Sequence, residues 1–193
     1  MRTTGWVLGY HGCDAELGES VLRGERYLNS SSNDYDWLGK GIYFWENNPT
    51  RALNWAEQVQ LDPKLSKTKI KNPFALGAII NLGNCLDLME SDSIRILKQA
   101  YSDYKAFLGR YGLDLPKNSV DRGQRKLDCA VVNFMHDIRE EEGEIPFESV
   151  RALFPEGEDF YESSGFRDKT HVQLAVRDER NIIAYFRPRF DRL

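Results

Sequence analysis

Three short stretches carry polar side chains where a buried strand would not supply them. Tyr10-His11-Gly12 sets an imidazole beside a glycine, giving a hydrogen-bonding ring next to backbone that a ligand or a second segment can approach closely. Leu38-Gly39-Lys40-Gly41-Ile42-Tyr43-Phe44 opens a strand with two glycines and lays a phenol along it. His171-Val172-Gln173 puts an imidazole and an amide two residues apart, hence on one face of a strand. Imidazole takes up or gives a proton near neutral pH, an amide oxygen accepts a hydrogen bond without bringing charge, and a tyrosine ring stacks on a flat ligand. Each stretch also has a structural reading. These are a hydrogen-bonded His closing a strand, a glycine turn before a core Tyr, and two polar side chains facing water from an antiparallel sheet.

The elements that would position these groups follow from the hydrophobic pattern. Residues 5–10 (GWVLGY) form a strand that ends at His11-Gly12, and residues 16–24 a short helix closed by Gly24. Residues 29–36 are a polar loop, and residues 41–45 (GIYFW) a second strand. Asn48-Pro49-Thr50 starts a helix whose apolar stripe is Ala52, Trp55, Ala56 and Val59. A lysine-rich loop over 61–73 leads into a buried strand at 74–82. Residues 90–110 carry Ile94, Leu97, Tyr101, Tyr104 and Leu108 at helical spacing, and residues 122–140 carry Leu127, Ala130, Val131, Phe134 and Ile138 likewise. Strands at 150–154, 170–176 and 181–186 complete the chain, the last two joined at 177–180. Strands at both ends and helices in the middle make the class α+β.

Composition narrows the function. A length of 193 residues fits one domain, with or without an insertion. The net charge of −4 gives no bulk attraction to phosphate backbones and disfavours a basic-patch nucleic-acid binder. No apolar run reaches the roughly 18 to 20 residues of a membrane span, and the first dozen residues lack the apolar core of a secretion signal. Cys13, Cys85 and Cys129 are far apart and odd in number, which argues for a reducing interior and against both a disulfide framework and a zinc site. The expectation is a soluble cytoplasmic protein with no metal and no membrane partner. The acidic runs at 140–144 and 156–159, the lysines at 64–71 and the arginines at 187–192 read as solvated surface, and Cys13 as a small buried residue.

Taken in chain order, YHG, LGKGIYF and a polar side chain on a late strand resemble the catalytic domain of the poly(ADP-ribose) polymerase and diphtheria-toxin-like ADP-ribosyltransferases. That class carries a His, a Tyr and usually a Glu in this order. Residues 49–55 (PTRALNW) sit where its next helix brings a second aromatic against nicotinamide, and residues 77–88 (GAIINLGNCLDL) are similar to its following strand and Leu-Gly-Asn turn. The resemblance covers 5–88 and 165–187. It implies a single ADP-ribosyltransferase-like catalytic domain over 1–193, built on a split antiparallel sheet, with residues 90–140 as a helical insertion. It also implies NAD as co-substrate. Tyr43 and Trp55 would wall the nicotinamide, the Gly12 backbone would pair with its carboxamide, and His11 would bond a hydroxyl of the adenosine ribose.

The resemblance breaks at one position. Where the class has its Glu, the strand THVQLAV offers Gln173, whose amide oxygen can take the ribose hydroxyl but carries no charge. His171, on the same face, would position or deprotonate the acceptor. The preceding loop, residues 162–169, resembles an acceptor-recognition loop in position, with Phe166 and Arg167 as its reading residues and Glu162 as a candidate to supply the missing carboxylate. Polymer synthesis in the class depends on the Glu, so the expectation is mono-ADP-ribosylation of a macromolecular acceptor, protein or nucleic acid. Compact members of the class are often bacterial toxins or effectors, which implies an antitoxin or immunity protein as partner. The alternatives are a NAD glycohydrolase and a non-catalytic domain that binds NAD or ADP-ribose.

Overall fold

The computed structural model describes residues 5–119 and 124–190. Its strands are β1 (Trp6–Asp14), β2 (Ile42–Glu46), β3 (Pro73–Asn81), β4 (Cys85–Asp87), β5 (Ser149–Phe154), β6 (His171–Val176) and β7 (Ile182–Phe186). Its helices are α1 (Ala15–Leu22), α2 (Pro49–Leu61), α3 (Ser91–Arg110) and α4 (Lys126–Glu141). The α+β class holds. Asp14 caps α1 by accepting from the Glu16 amide, and Asn48 caps α2 by accepting from the Arg51 amide ahead of Pro49.

One seven-stranded sheet runs in the order β4-β5-β6-β2-β1-β3-β7. It is mixed rather than wholly antiparallel, because β4 pairs parallel with β5. The hydrophobic pattern gives no sign of β4, three residues long and ending in an aspartate. The order also forces the sheet to curl. Strands β3 and β4 lie five places apart, about 24 Å in a flat sheet. Only residues 82–84 join them, a reach of at most about 14 Å. The ends therefore meet: the Ser149 hydroxyl donates to the Leu82 carbonyl at 2.6 Å, and the Asn84 amide to the Glu148 carboxylate at 2.6 Å.

The curl leaves two half-sheets, β4-β5-β6-β2 and β1-β3-β7, facing each other across one core. Ile42, Phe44, Leu174 and Val176 come from the first, and Cys13, Leu76, Ala78 and Ile80 from the second. The halves are hinged weakly, for β1 and β2 share only the pairs Gly9↔Glu46 and Tyr10↔Trp45. Inside the first half, Arg151 on β5 donates to both oxygens of Glu46 on β2 at 2.6 and 2.8 Å, and to Asp87 on β4 at 2.7 Å.

Helix α1 sends Val21 into that core, and helices α2 and α4 cover the outer face. Helix α2 crosses β1 and β3, with Ala52 and Trp55 against Tyr10, Trp45 and Ala75. Helix α4 seals the first half with Val131, Val132 and Met135 over Leu38, Val150 and Ala175. Helix α3 docks on α4 through Tyr104 and Phe134, whose rings lie 5.1 Å apart. Of the stripe expected to be buried on α3, Ile94 and Tyr101 stay exposed and line a groove of about 630 Å³ with Leu97, Trp37, Leu127 and Val131. Residues 122–123 of the expected second helix, and Arg192 of the C-terminal basic stretch, lie outside the described residues.

Candidate functional site

Strand β1 does not stop at His11-Gly12. Its pairing with β3 continues from Tyr10↔Gly77 to Asp14↔Pro73, so both residues sit inside a strand held on one side only. On the other side the ladder to β2 ends at Tyr10↔Trp45 and the strands part. The His11 ring fills the opening, with Nδ1 2.8 Å from the Tyr43 carbonyl oxygen. Facing a carbonyl, Nδ1 carries the proton, and burial lowers the His11 pKa against the opposing effect of that bond. Neutral His11 thus presents Nε2 as an acceptor.

Backbone direction alternates along a strand, and the Leu8 carbonyl already points to β2, where it accepts from the Asn47 amide. The Gly12 N–H and C=O therefore point into the same opening, beyond the end of the ladder. The glycine itself is required by α2: a Cβ there would stand 2.3 Å from the Ala52 carbonyl oxygen and 3.0 Å from the Trp55 ring.

Tyr43, Trp45, His171 and Gln173 share the outer face, through the pairs Tyr43↔Ala175 and Trp45↔Gln173. Directly paired residues share a face, and His11 packs edge-on to Phe44, so His11 belongs to the opposite, core side. The Tyr43 hydroxyl donates to the Gly39 carbonyl at 2.8 Å and accepts from the Leu38 amide at 3.1 Å. It braces the Gly39–Gly41 turn, and burial raises its pKa well above the ordinary phenol value. Trp55 lies against Trp45 at 5.7 Å between ring centres.

Gln173 accepts at Oε1 from the Trp37 indole at 2.5 Å. An indole N–H only donates, so the amide oxygen faces Trp37 and keeps one lone pair for a second donor. His171 is 5% exposed and packs between Trp45 and Phe154, at 6.1 and 5.5 Å. Its Nδ1 donates to the Lys169 carbonyl at 2.7 Å, which leaves Nε2 as a buried lone pair with no partner among the described residues. Burial lowers its pKa, the Lys169 bond opposes this, Arg51 lowers it and Glu156 raises it.

Three residues of this cluster are given no functional role by the sequence: Trp37, Trp45 and Arg51. Glu156, expected as part of a solvated acidic run, instead pairs with Arg51 beside His171. Arg51, 7% exposed, donates from Nη2 to both Glu156 oxygens at 2.6 and 2.7 Å and lies 5.8 Å over the Trp45 ring. Its Nε and Nη1 and the Trp45 indole nitrogen are buried without partners among the described residues. Arg51 stands four residues before Trp55, a spacing that puts both on one helix face and was the available signal. Glu156 closes over His171 from the end of β5 and lies outside any periodic pattern.

The loop over 155–170 turns back on itself through the Phe160 amide and the Phe166 carbonyl at 3.1 Å, and through Arg167 with Asp159 at 3.3 Å. Phe160, Tyr161 and Phe166 are exposed on it. Glu162 lines a shallow concavity there with Arg167, so the carboxylate beside His171 is Glu156. The Cys13 thiol is pushed up to about 12 by burial first and by Asp14 second, which leaves it protonated and unreactive. Among the described residues no three His, Cys, Asp or Glu side chains group as metal ligands, and no helix is long and apolar enough to cross a membrane.

No family model matches the chain, and no solved structure matches it significantly. A curated relative, an uncharacterized protein MJ0359 of Methanocaldococcus jannaschii, is 28% identical over 148 residues. That match covers 76% of this chain and 64% of the relative, so the chain spans less than two thirds of the relative's length.

Proposed function

We propose that the protein is a NAD-dependent mono-ADP-ribosyltransferase on the ADP-ribosyltransferase fold. One observation carries the reading. Strands β1, β2 and β6 are consecutive neighbours in the sheet and hold His11, Tyr43 and Gln173, with the sheet opened beside His11-Gly12. The residues suit NAD chemically. The Gly12 N–H and C=O form a donor–acceptor pair matched to a carboxamide, His11 Nε2 accepts from a ribose hydroxyl, and the second lone pair of Gln173 Oε1 accepts from another. Trp55 and the Tyr43 ring supply flat walls for nicotinamide.

Bound NAD contributes a glycosidic bond whose cleavage leaves positive charge on a ribose carbon, which an enzyme favours by placing acceptors and negative charge beside it. Gln173 orients that ribose without supplying charge, which favours single transfers over chain growth. The acceptor is a macromolecule, protein or nucleic acid, approached past the 155–170 loop. A toxin or effector role in the cytoplasm, with an antitoxin or immunity partner, is part of the proposal.

The test is nicotinamide release from NAD by the full chain, alone and with cell lysate, beside Tyr43→Ala and Gln173→Ala. Release that needs lysate and falls in both variants is the expected result. Release without lysate, with free ADP-ribose accumulating, makes the protein a glycohydrolase. NAD bound with no release makes it a binding domain, a reading favoured by the Trp37 and Gly39 bonds that already hold Gln173 and Tyr43.

A further inference from the structure

Resting on the transferase reading, we infer that Glu156 is the charge partner of His171, a positioning residue that stabilises the imidazolium formed when His171 Nε2 takes a proton from the attacking acceptor. The acceptor class follows from this: it attacks through an atom that bears a proton, a hydroxyl or an N–H, and not through a carboxylate.

Main chain and side chain fix this geometry together. The Lys169 carbonyl holds the proton on Nδ1 at 2.7 Å, so the lone pair on Nε2 is the basic one, and it is buried with no partner among the described residues. Glu156 Oε2 lies 3.8 Å from that same Nδ1. The pair Phe154↔His171 aligns β5 with β6, and the Lys169 amide donates to the Glu156 carbonyl at 3.2 Å, so the segment after β5 folds back onto the imidazole. Arg51 fixes the carboxylate with two contacts from Nη2. The charged groups facing His171 are Arg51 from α2 and Glu156 from the loop, with opposite effects on its proton affinity. Strand β6 carries no acid, so the negative charge that a base here requires comes from this neighbour.

The step balances without redox change. The ribose C1′–N bond breaks and its electron pair leaves with neutral nicotinamide. The acceptor's lone pair forms the new bond to C1′, and its proton passes to His171 Nε2, from which water later removes it. A carboxylate acceptor has no proton to give and gains nothing from this base.

The test compares the wild-type chain with Glu156→Gln and Glu156→Asp, using NAD labelled in its adenine and cell lysate as acceptor. In E156Q, transfer at the pH plateau falls about tenfold. Its rising limb moves to lower pH, because the imidazolium has lost the group that favours it. NAD affinity, read by tryptophan fluorescence, stays unchanged, which separates this role from a collapsed fold. E156D keeps the charge and recovers part of the rate. Mass spectrometry of the labelled product places the ADP-ribose on a hydroxyl or an N–H group and not on a carboxylate. Transfer by E156Q at the wild-type rate and pH profile overturns the inference, as does label mapped to a carboxylate. A wild-type chain that cleaves no NAD overturns the transferase reading, and this inference falls with it.

Discussion

Arg151 is the side chain whose loss the fold should tolerate least. It serves two carboxylates, Glu46 and Asp87, whose side chains are each 9% exposed, and it is itself mostly covered. Replacing it by Met keeps much of the volume and removes the only cation of the triad. Two buried carboxylates then face each other without a counter-charge, a loss of about 3–5 kcal/mol. For a chain of this length that lowers Tm by roughly 6–20 °C. Urea denaturation of both proteins at pH 7.5 measures it. A loss below about 1 kcal/mol would refute the account of the triad.

Two further outcomes are expected. Gly12→Ala puts a methyl 2.3 Å from the Ala52 carbonyl, so α2 must withdraw, at a cost of about 1–3 kcal/mol. The displaced Trp55 wall should weaken NAD binding as well, and both effects are read by thermal melting with and without NAD. His136, its pKa lowered to about 4 chiefly by burial, is held neutral in the fold with Nδ1 2.8 Å from the Val132 carbonyl. A lowered His favours the fold above the unfolded value near 6.5 and loses that contribution as pH falls toward about 4, to the extent of about 3 kcal/mol. His136→Gln should show a flatter acid limb than wild type in urea melts from pH 7 to 4, and superimposable limbs would exclude a buried neutral imidazole.

Local patterns in the sequence found the elements that bury one face, and missed what depends on distant pairing. The strand GWVLGY was legible from its β-prone residues, but its continuation through His11 to Asp14 is imposed by β3, some sixty residues on. The helices α3 and α4 were legible from period, whereas the exposure of Ile94 and Tyr101 depends on how far apart the two helices sit over Trp37. In the candidate site, His11, Gly12, Tyr43, His171 and Gln173 stood out as polar or glycine positions in apolar strands. The sequence did not tell that His11 lies on the core side and the others on the outer face, because strand alternation fixes relative and not absolute orientation. Glu156 read as solvated surface and Arg51 drew no reading, since nothing local records that 105 residues of chain bring them into one ion pair.

The strand order has a kinetic meaning. Helices α3 and α4 are neighbours in sequence and assemble from local contacts, but the sheet is made almost wholly from remote ones. Strand β6 is the keystone: it alone joins β5 to β2, and without it the first half-sheet is a two-stranded fragment beside a lone strand. Six residues after β6 ends, β7 begins and completes the edge of the other half. One stretch of chain, 171–186, therefore locks both halves, so the sheet closes late and all at once, and the outer-face cluster around His171 exists only after that closure.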